Sequence, residues 1–393
     1  MDFRCYNRAV PQKSQSRARA KPPRYQLETV SRACALLREF GNDRKTLSLK
    51  DIMERTGLER TICFRLLRTL ESEGFLRRAE LRRYASNLNI LSSRRFRIGY
   101  AAEGPNSFST AVSQGLRWVA RERQLDLIEL DNNYSPKAAL HNAETMIRER
   151  VNLAIEFQVY DRIAPRLSEL FHAAGIPVIA LEIPQPGAVF FGVDNQKVGQ
   201  IAGGVLVRTA KKEWDGKFDQ LILLDLEIAG SVPHLRLSST QAAVRKGLAG
   251  DWLTIHLDTR GEFVRAFEVT RKHLQFAKTR RTLLAGVNDM AVLGALRAFE
   301  ESGCGNLCCA VGMGGSPEAC RELRLPTSRL AGSVGFFPER YGNHVLDLAL
   351  EILQHKKAPP AVYAQVELIT PQNVDQFYPK DIFACPGKSE ISF

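Results

Sequence analysis

The sequence predicts an α/β chain of two unlike parts: a small helical head with a β-wing over residues 25–90, and a two-lobed body of parallel sheets over residues 95–380. Three observations predict it. Positive charge is concentrated at one end: residues 1–97 carry 23 Lys and Arg against 10 Asp and Glu, the rest carries 32 against 33, and the net charge is +12. Three helix-like segments follow one another in residues 25–73, with a very short Gly-containing turn between the last two. Beyond residue 95, short apolar runs of β-preferring residues alternate with amphipathic stretches, the pattern of βαβ units.

Composition narrows the class further. A chain of 393 residues with 44% hydrophobic and 8% aromatic residues suits two or three globular domains. The eight cysteines (Cys5, Cys34, Cys63, Cys304, Cys308, Cys309, Cys320, Cys385) lack paired C-x-x-C spacing and lie in apolar contexts, which reads as reduced, mostly buried thiols rather than a metal site. No apolar run reaches the roughly 18 residues of a membrane span. The start, MDFRCYNRAV, has no apolar leader segment. The expectation is a cytoplasmic protein without membrane contact.

Residues 1–24 are basic, contain Pro and Ser, and lack hydrophobic periodicity, so they read as a solvated tail that can also trail along nucleic acid. A first helix is expected in LETVSRACALLREF, stopping at Gly41. The second opens at Ser48, which forms a capping-box-like pair with Asp51, and ends at Gly57. After the turn Gly57-Leu58-Glu59 the third runs from Arg60 to Glu73, giving the connectivity of a helix-turn-helix.

The third helix divides cleanly by helical spacing. Cys63, Leu66, Leu67 and Leu70 form one apolar stripe, and Thr61, Phe64, Arg65 and Arg68 repeat the same spacing on the opposite face. A helix lying in a major groove needs an aliphatic face to hold it on its domain and a projecting face for base edges and phosphates. With Arg60 at its start, that face is the candidate interface with double-stranded DNA. FLRRAELRRYA follows Gly74, two short β-compatible segments carrying Arg77, Arg78, Arg82 and Arg83 around a turn. It reads as a wing whose arginines hold the phosphate backbone.

YQLETVSRACALLREF and LSLKDIMERTGLERTICFRLLRTLESEGFLRR resemble the winged helix-turn-helix of isocitrate-lyase-regulator (IclR) type transcription factors over residues 25–85. The resemblance implies that the helix from Arg60 is the recognition helix. Ile62 stands where that family usually has a small hydroxylated residue, and the family's usual ligand domain does not follow.

In the body, FRIGYAA, DLIELD, NLAIEF, PVIAL, VFFGVD, QLILLD, TLLAGVN, CAVGM, AGSVGF and VYAQVELI read as strands. Helical stretches such as 109–123, 138–150, 163–174, 290–301 and 341–355 separate them. Ten strands exceed one comfortable sheet, so two doubly wound lobes are expected, binding a ligand at the carboxyl ends of their strands.

RIGYAAEGPNSFSTAVSQGLRWVARE, AGIPVIALE, GVDNQKVGQIAGGVLV, GVNDMAVLGALRAFEESG and VELITPQNVDQFY resemble, in that order, sugar-binding periplasmic proteins of the ribose and xylose type and the ligand domains of lactose-repressor relatives. The resemblance covers residues 95–380. It implies a type I periplasmic-binding-protein-like body of two Rossmann-like lobes, with crossovers near Asp194-Asn195 and near Phe336. It carries ligand roles onto Asn106, Phe108, Asp194 and Asn288. Other anchors depart: Met313 replaces an aspartate, Glu182-Ile183 an Asp-Arg pair, Phe336 a glutamine, and an expected arginine falls at Ala242. Glu156, Gln158, Glu182, His234, Arg236 and Gln241 stand at or just beyond strand-like runs as replacement polar groups, though each also reads as a satisfied supporting group, and Met313 and Phe336 also read as core.

No G-x-S-x-G elbow, Walker loop or H-E-x-x-H pair occurs, and VGMGGSP lacks the dinucleotide fingerprint. No enzyme, metal or cofactor is therefore expected. The expectation is a homodimeric transcription regulator sensing a small effector, a sugar derivative or cyclitol, with a transport receptor or a purely dimerising body as alternatives. The last residues, 381–393, are expected to form a tail.

Overall fold

The computed structural model describes residues 27–40, 46–79, 83–86, 96–354 and 358–379. Both expected tails and Arg82 lie outside the described residues. The chain divides into two compact units, residues 1–94 and 95–393.

The head contains α1 (Glu28–Arg38), β1 (Thr46–Ser48), α2 (Leu49–Thr56), α3 (Arg60–Ser72), β2 (Leu76–Ala79) and β3 (Arg83–Ser86). The capping box forms: Asp51 N donates to Ser48 Oγ at 3.2 Å, and Ser48 N donates to Asp51 Oδ2 at 2.9 Å. These bonds, with Arg83 and Arg55 nearby, hold the Asp51 carboxyl below its ordinary range. Gly57 ends α2 with φ 67°, a left-handed conformation that lets the chain reverse within three residues. Cys63 on α3 donates its thiol to the Leu58 carbonyl at 3.6 Å, tying the turn to the helix that follows it. The wing has one strand more than expected. β1 precedes α2 and pairs antiparallel with β3, Leu47 opposite Tyr84, giving the order β1-β3-β2. Leu36, Phe40, Leu47, Ile52, Leu67, Leu76 and Tyr84 form the head's own core.

The first lobe of the body runs through β4 (Arg97–Ala102), α4 (Ser107–Glu122), β5 (Asp126–Asp131), α5 (Pro136–Arg148), β6 (Leu153–Glu156), α6 (Ala164–Ala173), β7 (Val178–Leu181) and β8 (Val189–Val193). The second contains α7 (Asn195–Trp214), β9 (Gln220–Asp225), α8 (Ser231–Gly247), β10 (Leu253–Asp258), α9 (Phe263–Leu274), β11 (Thr282–Gly286), α10 (Asp289–Glu301), β12 (Cys308–Gly314), α11 (Pro317–Leu323) and β13 (Leu330–Gly335). The chain then returns to the first lobe for α12 (Tyr341–Leu353) and β14 (Ala361–Ala364), and crosses back for β15 (Glu367–Ile369) and α13 (Val374–Phe377).

Each lobe holds a six-stranded sheet, ordered β14-β8-β7-β6-β4-β5 in the first and β10-β9-β11-β12-β13-β15 in the second. All pairings are parallel except β13 with β15. Alternation along the strands divides the second lobe's core: Leu221 and Leu223 pack under α7 and α8, while Ile222 and Leu224 pack under α9 and α10. Each such buried aliphatic side chain contributes roughly 1.5–3 kcal/mol, and this core explains the continuous apolar runs. No helix of the described residues is long and apolar enough to cross a membrane.

Three segments join the lobes. Two fall where the sequence places them, at Asp194 and between Phe336 and Arg340, and the third is Gln365-Val366. VYAQVELI, read as one strand, is therefore two strands in different sheets. β10 was not expected as a strand, because LTIHLD lies at a sheet edge with Leu253 half exposed and lacks the apolar run of its neighbours.

Candidate DNA interface and ligand cleft

On α3 the two faces separate as the spacing predicts. Cys63, Leu66, Leu67 and Leu70 are buried, while Arg60, Thr61, Phe64, Arg65 and Arg68 are exposed. Ile62 packs against the head core rather than standing on the projecting face. Arg60, Arg65 and Arg77 have no hydrogen-bond or ion-pair partner among the described residues. Glu71 receives both Arg68, at 3.3 Å, and Arg78 of the wing, at 3.2 Å, so one carboxylate ties the helix to β2. Arg83 is different. Its guanidinium donates to the Thr46 carbonyl at 2.7 Å and Thr46 Oγ1 at 3.0 Å, and reaches Asp51 at 3.2 Å. Arg83 Nε and Nη2 thus form a brace that ties β3 to β1 and the start of α2, while Nη1 makes no bond among the described residues.

In the body, the carboxyl ends of the first lobe's strands carry three buried acids: Glu103 after β4, Glu156 ending β6, and Glu182 after β7. Arg236 of α8 reaches Glu182 from the second lobe. Its Nη2 donates to Glu182 Oε2 at 2.8 Å, Nε to Asn195 Oδ1 at 2.5 Å and Nη1 to the Val287 carbonyl at 3.1 Å. Tyr341, opening α12, donates its hydroxyl to Glu182 Oε1 at 2.6 Å. Glu182 holds φ 59°, left-handed backbone that a residue with a side chain adopts only when its surroundings enforce it.

Close helix packing places these groups. A Cβ at Gly199 of α7 would lie 2.2 Å from the Arg236 carbonyl oxygen, so only glycine lets α8 approach this closely. A Cβ at Gly342 would lie 2.3 Å from the backbone of Gly115, which brings α12 onto α4 and Tyr341 beside Phe108. Phe108 makes edge-to-face contacts with Tyr341, Phe157 and Phe336 at centroid distances of 5.8, 6.0 and 6.3 Å, and Phe336 lies under the Arg236 guanidinium at 4.9 Å. Ser107 donates across the lobes to Glu318 at 3.2 Å. A Cβ at Gly230 in the second lobe would lie 2.6 Å from Asp161 in the first. The lobes are drawn together.

Burial governs the acids. It pushes the Glu103 carboxyl up to about 7, with Glu182 adding to the shift and Asn106 and Arg236 opposing it. It pushes Glu156 up to about 8. Glu182 is also raised by burial, against the pull of Arg236 and Tyr341. Glu156 Oε1 accepts from Asn132 Nδ2 at 3.0 Å, but its Oε2 is buried without a partner, as are Gln158 Nε2 and Gln185 Nε2.

Three of the expected ligand residues are helix caps. Asn106 caps α4 by accepting from Ser109 N at 2.7 Å, and its amide donates to Glu103 and to Tyr134 Oη. Asp194 caps α7 through Lys197 N at 3.0 Å, and Asn288 caps α10 through Ala291 N at 3.0 Å while donating to the Gly261 carbonyl. Met313 is wholly buried in the second lobe's core with Val193, Val198 and Val334. Gln241 donates to Thr254, and His234 pairs with Asp225, which also holds His256. The structure thus gathers Glu182, Arg236, Phe108 and Phe336, and adds Glu103, Tyr134, Asn195 and Tyr341. Glu103 had a legible signal, a carboxyl one residue beyond the apolar run FRIGYAA. Tyr341 had an indirect one, its place at the start of the helix just beyond the crossing expected near Phe336.

This is a winged helix-turn-helix head joined to a two-lobed α/β body with a buried polar cleft. The chain belongs to the periplasmic binding protein domain family, whose model matches residues 101–357, and residues 29–80 match the IclR helix-turn-helix domain. An ABC transporter solute-binding protein from Bacillus halodurans C-125, with bound myo-inositol, superposes with a TM-score of 0.62 at 18% identity, covering 72% of this chain and 97% of its own. One from Mycobacterium smegmatis, with bound glycerol, gives 0.64 at 20% identity, covering 72% and 96%. One from Agrobacterium vitis, with bound allitol, gives 0.64 at 17% identity, covering 72% and 98%. Such identities establish a common fold. No curated protein matches the chain.

Proposed function

We propose that the chain is a cytoplasmic transcription regulator: its head binds double-stranded DNA, and its body senses a small polyhydroxylated effector whose binding alters the affinity of the head. The carrying observation is one chain that joins an exposed Arg, Thr and Phe face on α3 to a body with buried polar groups at the strand ends of two lobes. Arg60, Thr61, Phe64, Arg65 and Arg68 are assigned to the groove, and Arg77, Arg78 and Arg82 to the backbone beside it. Glu103, Phe108, Glu182, Arg236 and Phe336 are assigned to the effector. The bound polyols of the structural neighbours support a ligand of that general class. A transport receptor has no use for a helix-turn-helix head, which favours the regulator.

Regulation follows if the effector binds one lobe arrangement more tightly than another. The chain is assigned as a homodimer, since one short recognition helix reads too few base pairs for useful specificity. Fluorescence anisotropy of the full chain with duplex DNA over a series of salt concentrations tests the reading. The affinity should fall steeply and log-linearly with salt, and light scattering of the complex should give two chains per site. Absence of DNA binding at low salt would remove the regulator reading.

A further inference from the structure

We propose that the body carries a second contact surface for the phosphate backbone of duplex DNA, built on residues 271–281 at the end of its second lobe away from the cleft. The inference goes beyond the function proposed above, which gives DNA to the head alone, and takes its choice of polyanion from that reading.

Charge marks the surface first. Residues 98–393 are almost balanced, with 32 Lys and Arg against 33 Asp and Glu, yet the segment from Arg271 to Arg281 holds Arg271, Lys272, Lys278, Arg280 and Arg281 with no acid among them. A surface that serves only solubility interleaves both signs. Pairing sets these cations apart as well. Arg265, Arg297, Arg321 and Arg329 of the same lobe each meet a carboxylate, whereas none of the five has an ion-pair partner among the described residues.

The backbone beneath them is fixed. α9 ends at Leu274 and β11 starts at Thr282, which pairs with Gln220, the first residue of β9, so the segment lies at the amino ends of the strands, opposite the cleft. Arg281 N donates to Asp219 Oδ2 at 2.7 Å, and the Arg281 carbonyl accepts from Asp219 N at 2.9 Å. His273 Nε2 and Gln220 Oε1 lie 3.0 Å apart, and Leu274 and Ala277 are buried as anchors. Arg271, Lys272, Lys278 and Arg281 stand exposed around this pinned turn. Arg245 and Lys246, in the last turn of α8, bring further charge to the same end, and Asp219 and Asp251 leave the surplus positive.

The side chains select the partner. Protein interfaces are poor in lysine at their centres and rest on contiguous apolar area, whereas the large exposed apolar side chains at this end are Phe276 and Leu253. Lysine and arginine spread over a turn and two helix ends suit a row of phosphates, which duplex DNA supplies at regular spacing.

The test is anisotropy of the full chain with a fluorescent duplex of random sequence, titrated over a series of salt concentrations. Each phosphate contact contributes about 0.9 to the slope of log affinity against log salt. Lys272→Gln, Lys278→Gln and Arg281→Gln together should lower that slope by about 2 to 3 units, while Lys272→Arg with Lys278→Arg should keep it. Circular dichroism establishes folding, and if the triple variant does not fold, Lys278→Gln alone should lower the slope by about one unit. An unchanged slope in a folded variant would overturn the inference. If that variant instead lost binding to polyglutamate, the surface would belong to an acidic protein, and the DNA assignment would fall. Arg65→Ala separates the head from the body. A slope that falls with Arg65→Ala alone would leave DNA to the head and remove the body surface; one that falls with the body variants alone would sustain the surface and remove the recognition-helix assignment.

Discussion

Phe64 stands 48% exposed in the middle of the projecting face of α3, between Thr61 and Arg68, where water is a poor neighbour for an aromatic ring. In a major groove the apolar feature available to it is the thymine methyl group. Replacing thymines by uracils in a duplex selected by the full chain should therefore weaken binding a few-fold, and Phe64→Ala should lose that sensitivity. An equal response of both proteins to uracil would place Phe64 away from the base edges. Arg65 and Arg83 make a second contrast. Arg65→Ala should weaken DNA binding without altering the head's unfolding. Arg83→Ala, which removes a brace to Thr46 and Asp51, should destabilise the head by about 1 kcal/mol in a denaturant titration. Asn106, Asp194 and Asn288 show where residue-level reading stops. A polar residue at the junction of strand and helix carries the same sequence signal whether it caps the helix, binds a ligand or does both, and here all three cap a helix through one oxygen.

Among the elements, those with long apolar runs or complete amphipathic periods were legible in the sequence, including α3, α4, β6 and β9. β1 and β10 were not, because a three-residue strand and a half-exposed edge strand carry too few buried positions to make a pattern. The crossing of α7 over α8 was also illegible: glycines such as Gly199 and Gly203 in a sequence suggest freedom, whereas here they permit contact. Gly199→Ala should destabilise the body by about 1–3 kcal/mol, since the added methyl meets backbone that cannot move aside cheaply. The same change should weaken effector binding, because it displaces the helix that carries Arg236. Unchanged stability in a urea titration would mean that α7 and α8 part easily.

At the scale of the whole body, the acids in the cleft make stability depend on pH in a defined direction. Glu103 and Glu156 have an ordinary value of 4.5 and are pushed up to about 7 and about 8 in the fold. The fold therefore prefers their protonated forms. Their contribution is fully present below about 4.5 and is lost as pH rises through about 7 and 8. The melting temperature of the body should fall between about pH 5 and pH 9, and Glu103→Gln with Glu156→Gln should flatten the profile. A flat profile in the unaltered chain would show that water reaches these carboxyls. The two-lobed plan and two of the three crossings were legible from the alternation of elements. The cleft's chemistry was not, because it is assembled from β4, β7, α8 and α12, whose relation only the folded topology reveals.

The central claim is that the state of the cleft governs the head. Glu182 and Arg236 hold the lobes together across a buried ion pair, and removing one partner of such a pair costs about 3–5 kcal/mol. The direct measurement is operator affinity, by anisotropy at fixed salt, of the full chain and of its Glu182→Gln variant, with circular dichroism to establish that both are folded. The account predicts a several-fold change in affinity from a substitution in the body alone. Identical affinities from two folded proteins would contradict it.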